Sequence, residues 1–229
     1  MNNFKGFSRE TLDFLIDLGK NNNRTWFKEN KNKYKKYVLE PLQNLVMDLS
    51  GFMLTIDPLF ETRPLIDKTI SRIYRDIRFS RNKTPYRNNV WITFKRLSKD
   101  WKESPVYFFE FSPDTYHYGM GFYSASKTFM DSFRKRVDEY PDEFLKVTSF
   151  YRNSGIFELK GDKYKRTLNK TKPAEILEWY QRKSFYLVSD NKISNEFFSS
   201  SIIDKLIYGF QLIAPLYQYL WMIKSGILD

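Results

Sequence analysis

The sequence contains no cysteine. That one absence excludes disulfides, thiolate nucleophiles, zinc–thiolate sites and iron–sulfur clusters. Histidine is nearly absent too: His117 is the only one. A metal centre would therefore need clustered carboxylates, and no Asp-x-Asp run or calcium-loop spacing is present, so neither a metal nor another cofactor is expected. No Walker loop, Gly-x-Ser-x-Gly elbow or kinase signature occurs. YGMGFY (residues 118–123) lacks the third glycine and the following helix of a dinucleotide fingerprint.

A secretory leader is not expected either, because MNNFKGFSRE at the start has no apolar run; a cytoplasmic location is the default. The longest charge-free stretch is LIYGFQLIAPLYQYLWMI, residues 206–223. Its length is about the minimum for a membrane span, but it holds glutamines, a glycine, a proline and tyrosines. Ile203, Leu206, Ile207, Phe210, Ile213, Ala214, Tyr217 and Trp221 recur at helical spacing, which predicts a buried C-terminal helix and no membrane association.

What is present is aromatic residues and positive charge. The 229 residues include 21 Phe, 16 Tyr and 5 Trp, and net charge is +11. A basic balance fits nucleic acid, an anionic membrane surface or small anionic ligands. It also fits solvated lysine faces alone, as in KENKNKYKKY (residues 28–37).

Along the chain, Ser8 caps a helix with Leu12, Leu15 and Ile16 inward and Gly19 at its end. Asn23 caps a second, carrying Trp26, Phe27, Tyr34, Tyr37 and Val38 on one side. Pro41 opens a third with Leu42, Leu45, Val46 and Leu49 inward, and Asp57-Pro58 ends it. Residues 89–97, 105–111 and 115–123 read as an antiparallel meander. Helices follow over 128–140 and 141–155, then a hairpin turning at Gly161-Asp162, a short helix after Pro173 and a strand, SFYLVSD. The expected class is a single-domain α+β fold over residues 1–229, its central antiparallel sheet packed by N-terminal and C-terminal helices.

The densest chemistry lies in SRIYRDIRFSRNKTPYR, residues 71–87. Arg72, Arg75, Arg78, Arg81, Lys83 and Arg87 sit among Ile73, Tyr74, Ile77, Phe79 and Tyr86, with Asp76 the only acid. As a helix, Ile70, Ile73, Tyr74 and Ile77 form a stripe. As a strand, Arg72, Tyr74, Asp76 and Arg78 share one face. Periodicity leaves both open; composition leans towards a strand over residues 68–74. Guanidinium forks match carboxylates and phosphates, and gathered cations persist where an anion compensates them. Glu110 is a candidate internal acid, and Arg24 joins the cluster if the first helices pack over the sheet. Three readings stand: internal salt bridges in a structural or interaction domain, a nucleic-acid surface, or a pocket for a phosphate- or carboxylate-bearing small molecule. The last is preferred, with Arg72, Arg75, Arg78, Lys83, Tyr86 and Arg87 as the binding set. Whether any reaction occurs is open; Asp76 and His117 are the candidate proton handlers. His117, Gly119, Gly121 and Tyr123 share a strand face, and the glycines leave a niche for a ligand or another backbone.

The run Arg72-Ile-Tyr-Arg75-Asp76-Ile-Arg78-Phe79, followed by Asn82-Lys83 and Tyr86, resembles the signature of the bacterial domain of unknown function 2461 family. NNNRTWFKENK (residues 21–31) is similar to that family's Asn-Arg-x-Trp-Phe stretch. The resemblance covers the whole chain. It implies one intracellular bacterial domain and carries no assigned activity, substrate, cofactor or catalytic residue.

Overall fold

The computed structural model describes residues 4–169 and 171–226. In chain order the helices are α1 (Arg9–Lys20), α2 (Arg24–Glu29), α3 (Lys31–Tyr34), a π-helical turn at Lys35–Leu39, and α4 (Glu40–Ile56). Strands β1 (Val90–Phe94), β2 (Pro105–Phe111) and β3 (Thr115–Phe122) follow, then α5 (Lys127–Glu139), α6 (Pro141–Val147) and α7 (Ser149–Ser154). The chain continues through β4 (Glu158–Lys160), α8 (Ala174–Tyr180), β5 (Tyr186–Lys192) and α9 (Ser201–Ser225). The strands form one five-stranded antiparallel sheet in the order β1-β2-β3-β5-β4, and the class is α+β.

Packing divides the chain into two compact units. The first runs through Phe94 and adds Phe108–Tyr118 and Asp190–Ile207. Its helical core follows from spacing. In α4, Leu42, Leu45, Val46 and Leu49 recur at i, i+3, i+4, i+7 and all are fully buried, each contributing about 1.5–3 kcal/mol of transfer free energy. Pro41 does not open a separate helix as expected: α4 runs on directly from the π-helical turn, where the Glu40 N–H donates to the Lys35 carbonyl, and Pro41 follows one residue later with no N–H to offer. Gly51 lies mid-helix with open space where a side chain would go. Gly51→Ala is therefore expected to stabilise the protein by about 0.5–1 kcal/mol in chemical denaturation. A second cluster gathers Phe7 against Phe4, Phe111 and Phe197 at 4.5–5.0 Å between ring centroids.

The second unit comprises Lys95–Tyr107, Gly119–Ser189 and the chain from Tyr208 on. Trp179, Phe133, Phe144 and Phe185 interlock edge-to-face or tilted at 5.4–5.8 Å. Two arginines are buried in this unit. Arg134 donates to the carbonyls of Tyr180 and Arg182 at 3.0 and 2.7 Å. Arg182 donates to the carbonyls of Gly161 and Leu159 at 2.6 and 2.8 Å and to Glu178 at 2.5 Å.

Several sequence expectations need correction. The inner face of α1 is Thr11, Phe14, Leu15 and Leu18, leaving Ile16 exposed. Both stripes have helical spacing, and the bulk of Phe14 settles which turns inward. The second helix breaks at Asn30, whose backbone N–H and Nδ2 both donate to the Trp26 carbonyl at 3.0 Å, before α3 starts at Lys31. Residues 141–155 form two helices, and Thr148 Oγ1 donates to the Phe144 carbonyl at the break. The expected hairpin at Gly161-Asp162 does not fold back on itself. β4 pairs antiparallel with β5, Leu159 opposite Leu187, where it gains a longer partner. Gly161, at φ +123, lets the chain pass close to Ser184. Pro215 lies inside α9 without ending it, and no described helix is long and apolar enough to cross a membrane.

Candidate functional site

Residues 68–79 form neither a helix nor the regular strand expected over 68–74. The chain turns at residues 67–69, bends at 78–79, and between them pairs one residue at a time, in isolated bridges of Ile70 with Ile92 and Tyr74 with Tyr86. Thr93 N donates to the Thr69 carbonyl and Ser71 N to Trp91, at 2.8 and 2.9 Å. The segment then leaves β1 for residues 85–87: Arg75 N donates to Pro85 and Arg87 N to Ile73, both at 2.9 Å. Pro85 has no N–H, so a longer ladder cannot form there. Burial alternates as an extended chain requires: Ser71 and Ile73 are buried, while Arg72, Tyr74, Asp76 and Arg78 are exposed.

The other flank of Tyr86 is held by a side chain. Asn22 accepts from Tyr86 N at 2.9 Å and donates to its carbonyl at 3.0 Å. Phe27 stacks on the Tyr86 ring at 4.4 Å, and Tyr74 lies 5.0 Å away. Burial first, then the Tyr74 hydroxyl, push the Tyr86 phenol up to about 12, against an opposing pull from Arg24. Tyr86 therefore stays a neutral hydroxyl at physiological pH.

These contacts surround a cleft of about 550 Å³. Arg75, Asp76, Tyr86 and Arg87 line it, and so do Asn22, Asn82, Thr84, Asn88 and Asn89. Arg75 Nη1 donates to Thr84 Oγ1 at 3.1 Å, and that hydroxyl donates to Asn82 Oδ1 at 2.8 Å. Arg75 has no carboxylate at ion-pair distance among the described residues. The Arg87 guanidinium lies 4.6 Å over the Trp91 ring. Glu110 takes the Asn89 amide at 2.5 Å.

The remaining expected site residues lie outside the lining. Arg72 pairs with Asp67 at 2.7 Å, both exposed. Lys83 donates to the Ile77 carbonyl at 3.0 Å. Arg78 grips Asp76 through two nitrogens, at 3.0 and 2.7 Å. That hydrogen bonding, with the Arg78 backbone N–H, pulls the Asp76 carboxyl down to about 2. A carboxylate so acidic is a weak base at neutral pH. His117 sits elsewhere, its Nδ1 2.6 Å from Asp190 and its Nε2 3.1 Å from Thr115. The niche beside it is filled by backbone: a methyl built on Gly119 falls 1.9 Å from the Leu187 carbonyl oxygen.

Sequence reasoning missed Asn22, Asn82, Thr84, Asn88 and Asn89 as cleft residues. Asn82-Lys83-Thr84-Pro85 reads as a turn, and the Asn22–Tyr86 pairing spans 64 residues, which local spacing cannot reveal.

An α+β protein with a polar, arginine-lined cleft is the class these features define. The chain belongs to the family of conserved hypothetical proteins DUF2461, whose model matches residues 10–219. Comparison with curated proteins gives no match.

Proposed function

We propose that the cleft binds a small molecule bearing a phosphate or carboxylate. The observation that carries this reading is Arg75: a guanidinium lining an open cleft whose hydrogen-bond partner is a neutral hydroxyl. A fork of that kind offers its remaining donors to an oxyanion in bidentate geometry. Arg87 supplies a second cation at the same cleft.

Thermal unfolding with inorganic phosphate, citrate and phosphorylated metabolites tests it. A ligand at a hundred times its Kd is expected to raise Tm by about 5–10 °C in a chain of this size. Arg75→Ala is expected to abolish the shift; equal stabilisation of both chains overturns the proposal. A single-stranded oligonucleotide retained equally by both, with affinity falling steeply in salt, would instead favour a basic nucleic-acid surface.

The pH dependence follows from the cleft's own groups. Asp76 is ionised above about 2 and Tyr86 neutral below about 12, and arginine does not deprotonate. No cleft group with a shifted pKa changes charge between pH 4 and 10. Affinity for a phosphate monoester is expected to rise as pH passes its own second ionisation near pH 6 and to plateau above it. Calorimetric titrations at pH 5, 7 and 9 check this.

A further inference from the structure

We infer that the ligand of this cleft is a polyhydroxylated anion, a sugar phosphate or sugar acid with one charged end and a hydroxyl-bearing body. The inference rests on the anion-binding reading and names the ligand's chemistry.

Size comes first. The cleft of about 550 Å³ falls in the range of pockets that enclose whole small molecules, roughly 300–1,000 Å³. A bare phosphate or acetate would leave most of it to water.

Wall chemistry comes second. Such pockets are ordinarily lined by apolar and aromatic side chains. Here no described lining residue carries an aliphatic side chain. Tyr86 is the only aromatic, 3% exposed and stacked on Phe27, so it offers the cleft little ring face. An acyl chain or a phenyl group would find no aliphatic wall and little aromatic face to pack on. A body of hydroxyls finds partners along the wall.

Those partners are still available. Asn88 makes no hydrogen bond among the described residues. Glu110 holds the Nδ2 of Asn89, which leaves Asn89 Oδ1 as an acceptor. Asn82 uses its Oδ1 on Thr84, which leaves its Nδ2 as a donor. Carboxamides both give and take hydrogen bonds, as alcohols do, and add no charge. Asp76 sharpens the choice. It is held by Arg78 through both oxygens, adds no free positive charge to the cleft, and its remaining lone pairs accept from hydroxyls. Charge at one end, against Arg75, and hydroxyls elsewhere satisfy the whole cleft.

The test is a matched calorimetric series on the full chain: inorganic phosphate, phenyl phosphate, glucose 6-phosphate, fructose 6-phosphate, ribose 5-phosphate and gluconate. At least one polyol is expected to bind tenfold or more tighter than inorganic phosphate and phenyl phosphate. Whether the best ligand is a sugar phosphate or gluconate separates the two sources of the charge. Asn88→Ala is expected to lower the ratio of polyol to inorganic phosphate affinity about three- to tenfold, the loss of one hydrogen bond. Binding of phosphate that depends on Arg75, with no polyol exceeding it or with phenyl phosphate tightest, overturns this inference and leaves the anion site standing. No binding that depends on Arg75 anywhere in the series overturns both.

Discussion

An Arg182→Ala chain is expected to be about 2–5 kcal/mol less stable than the parent, chiefly because two main-chain carbonyls lose a charged donor. Arg182 is 6% exposed. Its guanidinium reaches the carbonyls of Gly161 and Leu159, on either side of the chain leaving β4, and the carboxylate of Glu178. Alanine would leave both carbonyls without this donor, and buried acceptors left unmet cost about 1–3 kcal/mol each. Arg182→Met keeps much of the stem's packing and isolates the polar loss. If methionine restores the parent midpoint in urea, packing accounts for the effect and the hydrogen-bond argument fails. The same network sets an acid limb. Burial pushes the Glu178 carboxyl upward, but hydrogen bonds from Lys163 and Arg182 outweigh it and hold the group below its ordinary value. Its contribution to stability is therefore fully present above the unfolded pKa and fades as pH falls through the lower folded one. In the Arg182→Met chain the folded value moves up towards the unfolded one, so the acid loss is expected to be smaller and to end at higher pH.

Gly119→Ala is expected to be nearly as damaging. The added methyl would sit 1.9 Å from the Leu187 carbonyl oxygen and 3.1 Å from Val188 Cα. Both atoms are backbone within β5, so no side chain can swing aside; the strands themselves must separate. The cost is expected at or above the top of the roughly 1–3 kcal/mol seen for overfilled cores. Gly121→Ala meets Tyr186 Cα at 2.4 Å and should behave alike. Equilibrium denaturation checks both, and an unchanged midpoint for Gly119→Ala would show that the strands separate at little cost.

These two positions show what could be read from the chain alone. The β-branched and aromatic content of 105–111 and 115–123, the turn signals between them and the helical stripe of α4 are local signals, and the strands Pro105–Phe111 and Thr115–Phe122 and the helix Glu40–Ile56 lie there. The glycines of β3 marked a close approach, but only the pairing of distant β5 shows that backbone fills the space. The arginine-rich run had the opposite difficulty. Its density of cations among apolar residues looks like burial, yet Arg72 and Arg78 lie in solvent beside Asp67 and Asp76. The arginines that are buried, Arg134 and Arg182, stand in unremarked helical and turn sequence, and their partners are mostly main-chain carbonyls. A carbonyl acceptor leaves no trace in residue type. Arg75, Asp76, Tyr86 and Arg87 were legible as a group because they are close in sequence. The asparagines beside them in the cleft were not, because a carboxamide at a turn looks the same whether it only shapes the loop or also faces a ligand.

The grip of Asn22 on Tyr86 reaches beyond the cleft. Residues 85–87 are matched by main chain on one side only, and a half-matched extended segment is where neighbouring molecules begin to add strands. One carboxamide closes that side, mimicking the peptide group of an absent neighbour. The same contact that positions a cleft residue thereby occupies both backbone groups of Tyr86 that an added strand would need.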